Sequence, residues 1–90
     1  MIYSRASYRR RYNKLSAQQQ ERVDTAISRF SQAIGKPHFH GGLAARAFGR
    51  YIEFRAGLDL RILALPEQDD WFLVCVGDHD ELRAYCKGNA

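Results

Sequence analysis

Asp78, His79 and Asp80 follow directly on the apolar run WFLVCVG of residues 71 to 77. An imidazole titrates near neutrality and can accept or give a proton, and a neighbouring carboxylate would fix its tautomer, so this cluster suits general acid or base work. The same three residues also suit a plain strand-to-helix junction, with Asp78 or Asp80 as cap and His79 in the first turn. A second constellation lies upstream, where RYIEFR (50 to 55) and DLRILAL (59 to 65) alternate polar with apolar residues around a short AGL connection. That period predicts a hairpin of half-buried strands. An odd-length loop pairs Arg55 with Asp59, Glu53 with Arg61 and Tyr51 with Leu63, and gathers Ile52, Phe54, Leu60 and Ile62 on the opposite face. The polar face is either a solvated set of cross-strand ion pairs or a site in which the planar fork of Arg61 clamps a phosphate.

Other chemistries find less support. His38 and His40 form an HxH pair in the loop GKPHFHGG, but no further ligand stands at metal-binding spacing, so neither a metal nor a cofactor is expected. Cys75 sits in an apolar strand, where a thiol is inert, and no GxSxG elbow or GKS/T phosphate loop occurs. Cys75 and Cys86 make no CxxC pair, which argues against a disulfide framework and for a reducing compartment.

The elements that must position these residues can be read along the chain. Residues 2 to 5 start a short strand, and Ser7 can cap a brief helix that puts Tyr8, Tyr12 and Leu15 on one face, with Arg9, Arg10, Arg11 and Lys14 on the others. Ser16 and Gln19 fit a capping box ahead of a helix whose apolar residues are Val23, Ala26, Ile27, Phe30, Ala33 and Ile34. Gly35 and Pro37 should stop it. Residues 35 to 49 read as a loop with a turn of helix around Leu43 to Phe48, and residues 66 to 70 as a turn. WFLVCVG is apolar on both faces, as in an inner strand. The C-terminal helix turns Leu82, Tyr85 and Cys86 inward. The order β-α-α-β-β-β-α gives an α+β fold, an N-terminal helical hairpin packed on a small antiparallel sheet with a short C-terminal helix.

With 90 residues the chain is read as one domain, 1–90. Apolar residues at 46% and charged residues at 27% suit a globular protein, and a net charge of +4 favours anionic partners. No stretch approaches a bilayer span and the N-terminus lacks the apolar core of a signal peptide, so a cytoplasmic location is expected.

In order along the chain, the helical hairpin, GRYIEFRAGLDLRILAL and VGDHDELRAY resemble the RelE/ParE superfamily of bacterial toxin-antitoxin toxins. The resemblance rests most on Tyr51, Arg55, Gly57 and Arg61, and on Val76, Gly77, His79, Asp80 and Glu81. It implies a RelE-like fold, and for the RelE-type members a ribosome-dependent endoribonuclease that cuts mRNA by metal-free transphosphorylation. Arg61 matches the family's strand arginine and His79 the C-terminal histidine, so the resemblance makes them clamp and acid or base. Arg55, Arg83 and Tyr85 are further candidates for phosphate or base contacts. RelE uses lysines just before the hairpin, whereas LAARAFGR (43 to 50) has none. Arg46 and Arg50, with His38 and His40, are the RNA-contact candidates there. The resemblance also implies a small antitoxin as partner, beside mRNA and the ribosome, and no membrane. The ParE-like alternative is a gyrase inhibitor without nuclease activity, and a third is a catalytically silent interaction module.

Overall fold

The structure, a computed structural model, describes residues 1–34 and 45–88. Its elements are β1 (Ile2–Ser4), α1 (Ala6–Tyr12), α2 (Ala17–Ala33), β2 (Arg46–Phe48), β3 (Tyr51–Arg55), β4 (Arg61–Glu67), β5 (Asp70–Gly77) and α3 (His79–Gly88). The capping box that opens α2 forms: the Gln19 N–H donates to Ser16 Oγ at 3.2 Å and the Ser16 N–H donates to Gln19 Oε1 at 2.9 Å. Ser7 does not cap α1, whose N-cap is Arg5. Its hydroxyl donates instead to the Val74 carbonyl at 2.6 Å, which ties α1 to β5. The stop expected at Gly35 and Pro37 lies outside the described residues.

The five strands form one sheet in the order β1-β5-β4-β3-β2. All neighbours are antiparallel except β1, which runs parallel to β5, so the sheet is mixed rather than antiparallel throughout. Three residues are too few to show in their side-chain pattern which way an edge strand will run. The direction follows from backbone bonds, with Trp71 N–H donating to the Met1 carbonyl and Arg5 N–H to the Leu73 carbonyl, both at 2.9 Å. Arg46–Phe48, expected as loop or helical turn, is a strand paired with β3.

The hairpin faces follow the expected parity, but the register differs by two residues. Arg55 pairs with Arg61 and Glu53 with Leu63. The turn is longer because Ala56 and Leu60 are both buried in the core and close it through Ala56 N–H donating to the Leu60 carbonyl at 2.9 Å. Asp59 turns out to meet Arg22 on α2 at 3.4 Å. Gly57 carries a φ of 104°, a conformation that side chains rarely adopt.

Each sheet face carries a core. On the side of α1 and α2, Tyr8, Val23, Ala26 and Phe30 pack on Phe54, Leu60, Ile62, Leu73 and Val76. The Phe30 ring stacks on Phe54 with centroids 4.5 Å apart and meets Trp71 edge-on at 4.9 Å. On the other side, Leu82 of α3 packs on Tyr51, Leu63, Val74 and Cys75. A β-bulge where β4 meets β5 puts both Val74 and Cys75 on this side, which widens the apolar bed for α3. The C-terminal helix thus covers part of the face that carries the alternating polar residues.

Candidate functional site

Glu53 is the hub of that face. It is 1% exposed and is the only charged side chain buried among the described residues. Three basic groups surround its carboxylate, each delivered by a different element. Arg46 stands directly opposite on β2 and its Nε lies 3.3 Å from Oε1. Arg61 reaches diagonally from β4, its Nη1 donating to the same oxygen at 2.6 Å. His79, the first residue of α3, brings Nδ1 to 4.0 Å from Oε2. That last distance is too long for a hydrogen bond. Neither Glu53 Oε2 nor His79 Nδ1 has a hydrogen-bond partner among the described residues.

The junction before α3 explains why His79 arrives there. The Glu81 N–H donates to Asp78 Oδ1 at 2.8 Å, and the Asp78 N–H donates to Glu81 Oε1 at 3.0 Å. This reciprocal box commits Asp78 to capping. The carboxylate facing the imidazole is therefore not a sequence neighbour but Glu53, on the strand two away from β5 in the sheet. Sequence reasoning placed Glu53 on the polar face and beside Arg61, yet did not select it, because the groups gathered on it come from three separate elements, β2, β4 and α3.

Aromatic rings border the cluster. Phe48 meets the His79 ring edge-on at 6.2 Å, Tyr85 meets Tyr51 edge-on at 6.1 Å, and the Arg50 guanidinium lies 5.3 Å from the centroid of Tyr51. Of the residues selected from sequence, Arg46, Arg61 and His79 thus converge on one carboxylate, with Arg50 and Tyr85 alongside. Arg83 is exposed one helical turn beyond His79. Arg55, also exposed, is the cross-strand partner of Arg61. It also lines a cavity of about 500 Å³ beside α2, with Arg22, Arg29 and Gly57, on the other side of the sheet. His38 and His40 lie outside the described residues. Among the described residues no three His, Cys, Asp or Glu side chains gather to hold a metal ion.

The arrangement can hold an anion and move a proton. Arg61 uses one donor on Glu53 and has others to offer a phosphate, since a guanidinium carries five N–H groups in a fixed fork. The His79 side chain is 38% exposed, and with Nδ1 turned to Glu53 the other ring nitrogen points the opposite way. Glu53 itself is too deep to touch a ligand in this conformation.

Both thiols are free, and they differ in access. Burial pushes the Cys75 thiol up to about 11, whereas Cys86 is half-buried and raised by burial and by the Glu53 carboxylate. At neutral pH a thiol reagent is expected to label Cys86 slowly and to leave Cys75 untouched until urea unfolds the chain, as mass spectrometry of the labelled peptides would show. Rapid native labelling of Cys75 would contradict the packing of α3.

No known family model matches the sequence, and no curated protein does. Three solved structures match over nearly the whole chain. The RelB–RelE antitoxin-toxin complex from Methanococcus jannaschii matches with a TM-score of 0.69 at 11% identity, covering 94% of this chain and 98% of that one. A conserved hypothetical protein from Helicobacter pylori, solved in solution, matches with a TM-score of 0.62 at 16% identity. A copper-bound mutant toxin from Helicobacter pylori matches at 0.59 and 16% identity, and both cover 90% of this chain and 96% of the other. The chain therefore has a RelE-like fold.

Proposed function

We propose that this chain is the toxin of a type II toxin-antitoxin system and an endoribonuclease that cuts mRNA. The observation that carries the reading is the convergence of Arg46, Arg61 and His79 on the buried Glu53 carboxylate. An RNA phosphate would dock on the free N–H groups of Arg61, which stabilise the negative charge that develops as phosphorus becomes five-coordinate. The ring nitrogen of His79 that faces away from Glu53 accepts the proton of the attacking 2′-OH as the new P–O bond forms. It returns that proton to the 5′ oxygen as the old P–O bond breaks, leaving a cyclic phosphate. Glu53 holds Arg61 by a hydrogen bond and faces His79 across 4.0 Å, so its part is that of a positioning residue. Arg46, Arg50, Arg55 and Arg83 add attraction for the RNA backbone that does not depend on base sequence. His38 and His40, which lie outside the described residues, are proposed as further RNA contacts.

The Methanococcus toxin was crystallised with RelB. By that likeness the partner proposed here is a small antitoxin whose acidic segment neutralises the basic groove. No helix among the described residues is long and apolar enough to cross a membrane, and the proposed site of action is the cytoplasm.

The test is to map mRNA 5′ ends by primer extension in bacterial cells before and after induction of the wild type and of Arg61→Ala. New ends within translated frames that disappear with Arg61→Ala are the expected result. Growth arrest with intact mRNA would replace this reading with ParE-like inhibition of gyrase, and no effect of any kind would leave a silent interaction module.

A further inference from the structure

We infer that Arg11 and Glu81 form a positioning relay that sets His79 against Glu53 from the far side of α3. The inference rests on the role proposed above for His79. It begins from a carboxylate that does two jobs. Glu81 Oε1 accepts the Asp78 N–H at 3.0 Å and so completes the cap next to His79, while Oε2 accepts a hydrogen bond and ion pair from Arg11 Nη1. Arg11 belongs to α1, which is itself pinned to β5 by the Ser7 hydroxyl on the Val74 carbonyl. The start of α3 is therefore anchored not only by its own capping box but by a side chain 70 residues away in sequence.

A glycine gives the second, independent observation. A Cβ built on Gly77 would lie 2.8 Å from Glu81 Oε1, 2.9 Å from its Cδ and 3.0 Å from its Cβ. The Glu81 side chain thus lies flat on the backbone of β5 in space that only glycine leaves open. Gly77 is also the cross-strand partner of Arg61. The relay seats α3 at the same sheet position that carries the proposed phosphate clamp, so the spacing between Arg61 and His79 depends on how Glu81 sits. Arg11 touches none of the groups proposed to meet RNA. Its effect passes through Glu81 and Asp78 to the backbone of His79, and a displacement of a catalytic group by about 1 Å can cost up to 10²-fold in rate.

Three substitutions, singly and in one pair, test this in the full chain with a synthetic mRNA and purified ribosomes. Arg11→Gln is expected to lower kcat by roughly tenfold with KM nearly unchanged. Arg11→Lys, which keeps the charge, is expected to recover most of that loss. In a Glu81→Gln background, whose amide oxygen can still cap but carries no charge to pair, Arg11→Gln is expected to add little. The His79 ring resonances, followed by NMR, are expected to move with Arg11→Gln and to return with Arg11→Lys. A rise in KM with unchanged kcat would overturn the proposal and make Arg11 a direct RNA contact. Equal losses with and without the Glu81 charge, or ring resonances that do not move, would overturn it as well. If the wild type cuts no RNA, the nuclease reading fails by itself, while the ring resonances still decide whether Arg11 positions His79.

Discussion

Replacing His79 with Ala is expected to slow cleavage of ribosome-bound mRNA by about 10²- to 10⁴-fold, the range typical for loss of a positioned acid or base. The fold should survive, because the side chain is 38% exposed and makes no hydrogen bond through its inward nitrogen. The cap that starts α3 is built by Asp78 and Glu81, so Ala at position 79 leaves it intact. Urea unfolding should accordingly shift by no more than about 0.5 kcal/mol, as for ordinary half-exposed positions. The measurement is the single-turnover rate beside the unfolding midpoint. Unchanged cleavage would reduce His79 to a helix-start residue, and a fall in rate that tracks a fall in stability would make its role one of folding.

The second large effect concerns the opposite face of the sheet. Phe30→Ala is expected to cost about 3–5 kcal/mol, the usual range for emptying a large aromatic site in a core. Phe30 is fully buried, stacked on Phe54 and edge-on to Trp71, so neighbouring side chains cannot easily close the gap. A chain of 90 residues has about 5–13 kcal/mol of stability in total. The variant is therefore expected to lose between about a quarter and all of it, seen as a lower urea midpoint with an unchanged slope. A loss below about 1 kcal/mol would mean that α2 is held by something other than this aromatic cluster.

These outcomes depend on features that differ in how openly the sequence displays them. The Ser16–Gln19 box and the buried stripe of Val23, Ala26 and Phe30 were legible because both are local, set by spacings of three and four residues. The hairpin faces were legible too, since any odd loop keeps Phe54, Leu60 and Ile62 together. The register was not, because the longer turn is selected by tertiary partners: Asp59 meets Arg22, and Ala56 and Leu60 enter the core. Ser7 looks like a cap in sequence and bonds to Val74 in space, a contact 67 residues distant. Arg61 could be selected from its place in an apolar strand, and His79 from its place between two aspartates after the inner strand. Glu53 could not, because alternation marks it as facing away from the first core and does not reveal that Arg46, Arg61 and His79 will gather on it from three other elements.

The parallel pairing of Ile2–Ser4 with Trp71–Leu73 has a consequence for the order of events during synthesis. A nascent chain emerges N-terminus first and its local elements can form at once, so α2 can appear while the hairpin strands are still being translated. The first strand must wait, since its neighbour is made 69 residues later. His79 follows that neighbour directly. Sheet closure and the assembly of Arg46, Glu53, Arg61 and His79 therefore happen together, once residues 70–79 have been made. A prematurely terminated product that lacks residues 70–88 would have neither the inner strand nor His79, so on the proposed reading abortive translation would yield inert fragments rather than partly active ones.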